Sequence, residues 1–334
     1  MGYFQSRAAR SLAAGASVLA VVALVTVVTA ETRQRSPKRS ASPRASLSLS
    51  PTPSSATPTS PTPQRPAPIP PASRQPSLAA RATVTATLHK LAAQLPAGGV
   101  SVAALNTKTG AYYRFGASSG MRVGSVAKLF VLDALLAERE QDGTQLDEGE
   151  QELARTMIEN SDNKAEYQLY LDAGGHQTLV DTAARLGMRH TVPGSDDPAL
   201  TTTGAADALH LLAPLLPRRI TVAGVRHTPL SGYSRSLALG FMRNVESDQR
   251  WGVSAVADPG TPVALKNGWL SVDNNNAPGA NDDGRWLVNS VGIVTVHRQP
   301  VLLSVFTQHG PDYVSGIHRV EALVKAVTPA VVAE

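Results

Sequence analysis

The sequence contains no cysteine. That absence excludes disulfide bonds, thiolate metal sites, a cysteine nucleophile and a lipid-modified N-terminal cysteine together. The eight histidines fall singly, with no His-Glu-x-x-His or other paired ligand spacing, so neither a metal nor any other cofactor is expected. Aromatic residues make up only 4% of the chain and charged residues 17%. Apolar residues, at 42% of 334, still suffice for a sizeable core in one large domain or two small ones.

Acid is nearly absent from the first 77 residues, which hold nine Lys/Arg against the single Glu31. Residues 78–334 hold 22 basic and 25 acidic side chains, so the overall charge of +5 belongs to the N-terminal stretch. The part able to fold has no electrostatic footprint for nucleic acid, and no nucleic-acid partner is expected.

Arg7 and Arg10 precede an uncharged run, "SLAAGASVLAVVALVTVVTA", and residues 1–30 read as an export signal. A run of this length is either cleaved after its small-residue end or kept as a membrane anchor. The Arg and Lys residues between positions 33 and 44 favour cleavage, since that flank would otherwise have to cross the bilayer. Residues 31–77 read as a disordered Pro/Ser/Thr-rich linker: 12 of the 24 prolines lie between Ser36 and Ser77, with no aromatic residue to seed a core. A secreted or cell-surface protein is expected, with N-terminal membrane association left open.

The folded domain is expected over residues 78–334. "LAARATVTATLHKLAAQL" reads as an amphipathic helix with Leu88, Leu91, Ala92 and Leu95 on one face. "VSVAALNTKTGAYYRFG" alternates and turns at 108–110 like a hairpin. Helical patterns dominate from Ser125 to about Leu216. Strand patterns return at "PVALKNGWLS", "RWLVNSVGIVTVH" and "VLLSVFTQH", and "DYVSGIHRVEALVKAV" closes as a helix. The expected class is α+β: a sheet split in the sequence around an all-helical subdomain.

Three polar motifs stand out. In "SVAKLFVLDALL", Ser125 and Lys128 are three apart at the start of a strongly apolar helix, so hydroxyl and amine share one face. A serine attacks only when something takes its proton, and a lysine in a dry setting can do so. "SDNK" at 161–164 has the same spacing, but in a polar break where Lys164 reads as a surface residue. Taken as Ser-Asp-Asn, it offers a hydroxyl at Ser161 to relay a proton and an amide at Asn163 to bind a carbonyl, with Asp162 bracing the turn. In "ALKNGWLS", Lys266 lies on a strand, Gly268 permits close backbone approach, and Trp269 offers an N–H to a cleft.

In this order, Ser-x-x-Lys, Ser-Asp-Asn and Lys-Asn-Gly resemble the signature of the class A β-lactamase and penicillin-binding protein superfamily. "MIENSDNKA", "LTTTGAADALHLL" and "VALKNGWL" resemble exported actinobacterial β-lactamase-like serine hydrolases. The resemblance covers roughly residues 78–327. It implies a β-lactamase/transpeptidase-like fold, in which an antiparallel sheet is flanked by helices beside an all-α subdomain. It also implies that Ser125 is acylated with Lys128 as general base, that Ser161 protonates the leaving nitrogen, and that Asn163 holds a substrate amide. Lys266 would orient Ser161 and help bind a carboxylate, while the N–H groups of Ser125 and Trp269, beside Gly268, would form the oxyanion hole.

Two departures bear on function. Asn267 puts an amide where the pattern has a hydroxyl that helps grip the substrate carboxylate, so binding is expected to survive with altered preference. The loop "HTVPGSDDPALTTTG" contains no glutamate to deacylate the enzyme, and leaves Asp197 either as a substitute or as part of a turn with Gly194 and Pro198. The expectation is a monomeric serine hydrolase that takes β-lactams or the stem peptides of peptidoglycan through an acyl-enzyme with slow deacylation. The rival is a binding or sensor domain without turnover.

Overall fold

The computed structural model of the chain describes residues 76–271 and 285–333. The expected leader, and the expected linker up to residue 75, lie outside the described residues. Helix α1 (Leu78–Ala92) is capped by Ser77, whose hydroxyl accepts from Ala80 N, and turns Val84 and Leu88 inward. A hairpin follows, β1 (Val100–Asn106) and β2 (Tyr112–Gly116). Its turn is held by Asn106 Oδ1, which accepts from the backbone N–H groups of Lys108 and Thr109, and Gly110 supplies a φ of +75°.

The helical insertion begins after the two-residue strand β3 (Met121–Arg122). It comprises α2 (Ala127–Gln141), α3 (Glu148–Glu159), α4 (Asn163–Asp172) and α5 (His176–Leu186). Strand β4 (Thr202–Thr203) leads into α6 (Ala205–Leu212), and the small hairpin β5 (Ile220–Val222) and β6 (Val225–His227) leads into α7 (Gly232–Arg243). The β3–β4 and β5–β6 pairs were not anticipated, because two or three residues are too few to display a period. The chain then completes the sheet with β7 (Ala264–Ser271), β8 (Trp286–Val296) and β9 (Gln299–Gly310), and ends on α8 (Tyr313–Val327).

The main sheet runs β2-β1-β9-β8-β7, with every neighbouring pair antiparallel. N-terminal β1 thus lies against C-terminal β9, from Val100 opposite Thr307 to Asn106 opposite Val301. Strand alternation sends Ala103, Leu105, Leu302 and Phe306 to one core, shared with α2 and α6. Val102, Ala104, Val301, Leu303 and Val305 go to a second core under α1 and α8. The fold is α+β, an antiparallel sheet between helical layers, as the element order implied.

Helix α2 is the axis of the helical side. Every residue from Ala127 to Leu136 is buried, as befits a helix apolar on nearly all faces. Two polar residues interrupt it, Lys128 and Asp133, both buried. Asp133 pairs with Arg185 of α5 at 2.5 Å, while Lys128 points toward α4.

Candidate active site

Ser125 lies in the 3-10 turn Gly124–Val126 that leads into α2. The turn opens at Gly124, whose φ of +54° belongs to the left-handed region. Asn289 of β8, fully buried, donates to the carbonyls of Arg122 (2.8 Å) and Val123 (3.1 Å) and so ties the turn to the sheet. Nothing in the local pattern around Asn289 announces this contact.

One helical step on, Lys128 is 0% exposed. Its Nζ donates to Ser125 Oγ at 3.1 Å, Asn163 Oδ1 at 2.8 Å and Glu166 Oε2 at 2.6 Å. An ammonium has three donors, and all three are occupied. Asn163 spends its carbonyl on Lys128, which leaves its NH2 for an acceptor in the cleft it lines. Lys164, by contrast, is exposed.

Ser161 precedes α4 with φ +60°, a conformation costly for a non-glycine residue and typical of sites where geometry is imposed by function. Asp162 fixes the segment by capping α4, accepting from Lys164 N and Ala165 N, both at 2.8 Å. The Ser161 hydroxyl accepts from Lys266 Nζ at 3.0 Å, and the same ammonium reaches the Asn267 carbonyl at 3.0 Å. Lys266 has no exposed surface. Burial, reinforced by repulsion from Lys128 and opposed by Glu166, lowers its pKa to about 7.

Gly268 packs against the serine turn. A Cβ there would meet Val123 O at 2.5 Å and Ser125 N at 3.0 Å, so only glycine lets β7 pass this close. A Cβ on Gly124 would in turn lie 3.5 Å from Trp269 N. The backbone N–H groups of Ser125 and Trp269 thus belong to two facing segments in contact, and Ser125 N, in the first turn of a helix, has no intrahelical acceptor.

Asn267 corrects one expectation. On β7, Lys266 and Gly268 face the serine turn, so Asn267 between them must face away. Its side chain is buried and donates to the carbonyls of Gln249 (2.7 Å) and Trp251 (3.2 Å). It braces the segment beside β7 instead of reaching into the cleft.

Of the two readings of Asp197, the structure shows the turn. Asp197 is exposed, and its Oδ1 accepts from Ala199 N at 2.8 Å, capping the 3-10 turn Pro198–Leu200. The carboxylate deep in the site is instead Glu166 of α4, 4% exposed, which the sequence reading passed over. Its one local signal was its spacing: Asn163 and Glu166 are three apart and share a face of α4, as Ser125 and Lys128 share theirs. Burial raises the pKa of Glu166, Lys128 opposes that shift, and Asp197 adds to it. Ser125, Asn163, Glu166, Tyr167, Asp197 and Trp269 line one cavity of about 420 Å³. Among the described residues no group of three His, Cys, Asp or Glu side chains is arranged to hold a metal.

A serine hydroxyl in contact with a buried lysine, at the edge of an antiparallel sheet and beside a helical subdomain, is the arrangement of a β-lactamase-like protein. The chain belongs to the β-lactamase enzyme family, whose model matches residues 150–332, more than half its length. That match begins after Ser125 and Lys128. A relative from Mycobacterium tuberculosis (strain ATCC 25618 / H37Rv), named "Putative lipoprotein LppW", is 26% identical over 219 residues. The alignment spans 64% of this chain and 64% of that protein's length. Among solved structures, TLA-3 extended-spectrum β-lactamase superposes with a TM-score of 0.61 at 16% identity, over 74% of this chain and 97% of that one. A PBP-A mutant, solved as an acyl-enzyme complex with penicillin G, gives 0.59 at 18% identity over 75% and 96%. A class A β-lactamase from Bacteroides cellulosilyticus DSM 14838 gives 0.60 at 16% identity over 75% and 98%. At these identities the likeness is one of fold.

Proposed function

We propose that this protein is an exported active-site serine hydrolase that forms an acyl-enzyme on Ser125 with β-lactams or with D-alanyl-D-alanine-like ends of peptidoglycan. The observation that carries the reading is the 3.1 Å contact between Ser125 and the fully buried Lys128, opening on a cavity of ligand size. In this reading Lys128 first yields a proton to Glu166, 2.6 Å away, and the neutral amine then takes the proton of Ser125 as the hydroxyl attacks. Ser161, held by Lys266, passes a proton to the leaving nitrogen. The NH2 of Asn163 binds a substrate carbonyl, and the N–H groups of Ser125 and Trp269 stabilise the oxyanion, a contribution of about 3 kcal/mol per donor. With Asn267 turned away, recognition of a substrate carboxylate falls to Ser161 and, behind it, Lys266.

Placement outside the membrane is supported by the charged-then-apolar run over residues 1–30 and by the lipoprotein name of the mycobacterial relative. This chain has no cysteine to carry a lipid. The test is incubation with a fluorescent penicillin. Labelling of the wild type and its loss in Ser125→Ala are expected. Absence of labelling in both would sink the β-lactam reading, and undiminished labelling of Ser125→Ala would sink the assignment of the nucleophile.

A further inference from the structure

A second cavity, of about 580 Å³, shares no lining residue with the one that holds Ser125. It lies among β2, the segment after α5, the first turns of α6 and the β5–β6 turn, and its polar lining includes Tyr112, Arg114, Arg189, His190, Asp207 and His210. Asp207 is 5% exposed. Its Oδ2 accepts from His190 N at 2.6 Å and Thr191 Oγ1 at 3.1 Å, which ties down the segment after α5, whereas Oδ1 accepts no hydrogen bond among the described residues. The Tyr112 hydroxyl is buried without a partner among the described residues. Burial raises its pKa, Arg114 opposes that shift and Asp207 adds to it, so charges of both signs act at that oxygen. Arg114 and Arg189 are exposed, and neither forms an ion pair among the described residues. His210 is committed elsewhere, its Nδ1 paired with His227 Nε2 at 2.8 Å. Bracing the chain accounts for Oδ2 of Asp207, but not for Oδ1 or for the Tyr112 hydroxyl, and buried polar groups left unpaired are costly.

We propose that this cavity is a second binding site, for a zwitterion of the amino-acid or short-peptide class: Asp207 Oδ1 accepts from the ligand's ammonium, while Arg114, Arg189 and the Tyr112 hydroxyl donate to its carboxylate. The signs of the lining select this class. A simple anion would meet the carboxylate of Asp207, and a simple cation would meet two guanidinium groups. A molecule that carries both charges finds a partner for each. The planar guanidinium fork matches the two oxygens of a carboxylate, and charge-assisted hydrogen bonds of this kind are the strong ones. The volume lies in the range of small-molecule sites and leaves room for a dipeptide. Binding here involves no covalent step and no residue of the Ser125 site, so it stands independently of the acyl-enzyme reading.

The test is an amide-detected NMR titration of the full chain at neutral pH with glycylglycine, N-acetylglycylglycine and glycylglycinamide. The first carries both charges, the second lacks the ammonium and the third lacks the carboxylate. With glycylglycine, saturating shifts are expected at the backbone amides of residues 187–190 and 206–210, with a Kd on the order of 1 mM or tighter. Each singly charged analogue should bind at least ~10-fold more weakly, the scale of one lost charge-assisted hydrogen bond. Asp207→Asn, Arg114→Gln and Arg189→Gln should each weaken glycylglycine by a similar factor. Should Asp207→Asn fail to fold, the two arginine variants, both altered at exposed positions, decide. Both should keep whatever penicillin labelling the wild type shows. No saturating shift at those amides, or saturating shifts at residues 124–128 in their place, would overturn the proposal. So would equal affinity for the dipeptide and either analogue, or unchanged affinity in both arginine variants.

Discussion

Lys266 shows how burial reshapes a single residue. Its pKa of about 7 in the fold compares with 10.5 for an ordinary lysine. Between those values the unfolded chain binds a proton that the folded chain does not, so this group makes stability rise with pH from about 7 to 10.5. Below pH 7 both states are charged and the folded one bears the full cost of burying the ammonium. Urea titrations of wild type and Lys266→Met at pH 7 and pH 10 should therefore show wild type gaining on the variant at the higher pH. A gap independent of pH would contradict the shift. The chemistry of Lys266 was legible from its place on a strand before Gly268, but its burial was not. Glu166 was harder to see, as one of 26 acids in the chain. Its partner Lys128 is 38 residues away, and only packing joins them.

At the scale of elements, the site depends on β7 lying against the turn Gly124–Val126. Gly268→Ala places a methyl 2.5 Å from the carbonyl of Val123 and 3.0 Å from Ser125 N, against backbone that cannot rotate away. The strand and the turn must separate, which misplaces the N–H groups of Ser125 and Trp269, the proposed oxyanion donors. Penicillin labelling should slow by at least ~100-fold, the effect of losing one such donor. Stability should drop by about 1–3 kcal/mol, as for other overpacked contacts, which a urea midpoint measures. Labelling at the wild-type rate would show that the donors lie elsewhere. Helices α1, α2 and α8 and the strands β1, β7, β8 and β9 were readable from periodicity. Asn267 was misread because a strand's alternation tells which residues share a face, but not which face meets the cleft.

For the whole molecule, the family's matched region, residues 150–332, contains β7, β8 and β9 but neither β1 nor α2. Strand β1 lies between β2 and β9, and α2 fills the centre of one core. A fragment of residues 150–332 would leave the long apolar edge of β9 unpaired and the core beneath it hollow. It should show no cooperative urea transition by circular dichroism, whereas the full chain should show one. A cooperative transition in the fragment would mean that the sheet closes without its N-terminal hairpin.

The sequence by itself determined the element order, the absence of thiol chemistry, and the three polar motifs with their spacing. These depend on neighbours along the chain: alternation, helical pitch and turn residues act within a few positions. Only the tertiary structure decided that Glu166 lies on Lys128, that Asn289 ties the serine turn to the sheet, and that Asn267 faces away from the cleft. Those facts depend on how α4 packs on α2 and which face of β7 meets the serine turn. Such contacts form between residues far apart in sequence, and no local pattern records them.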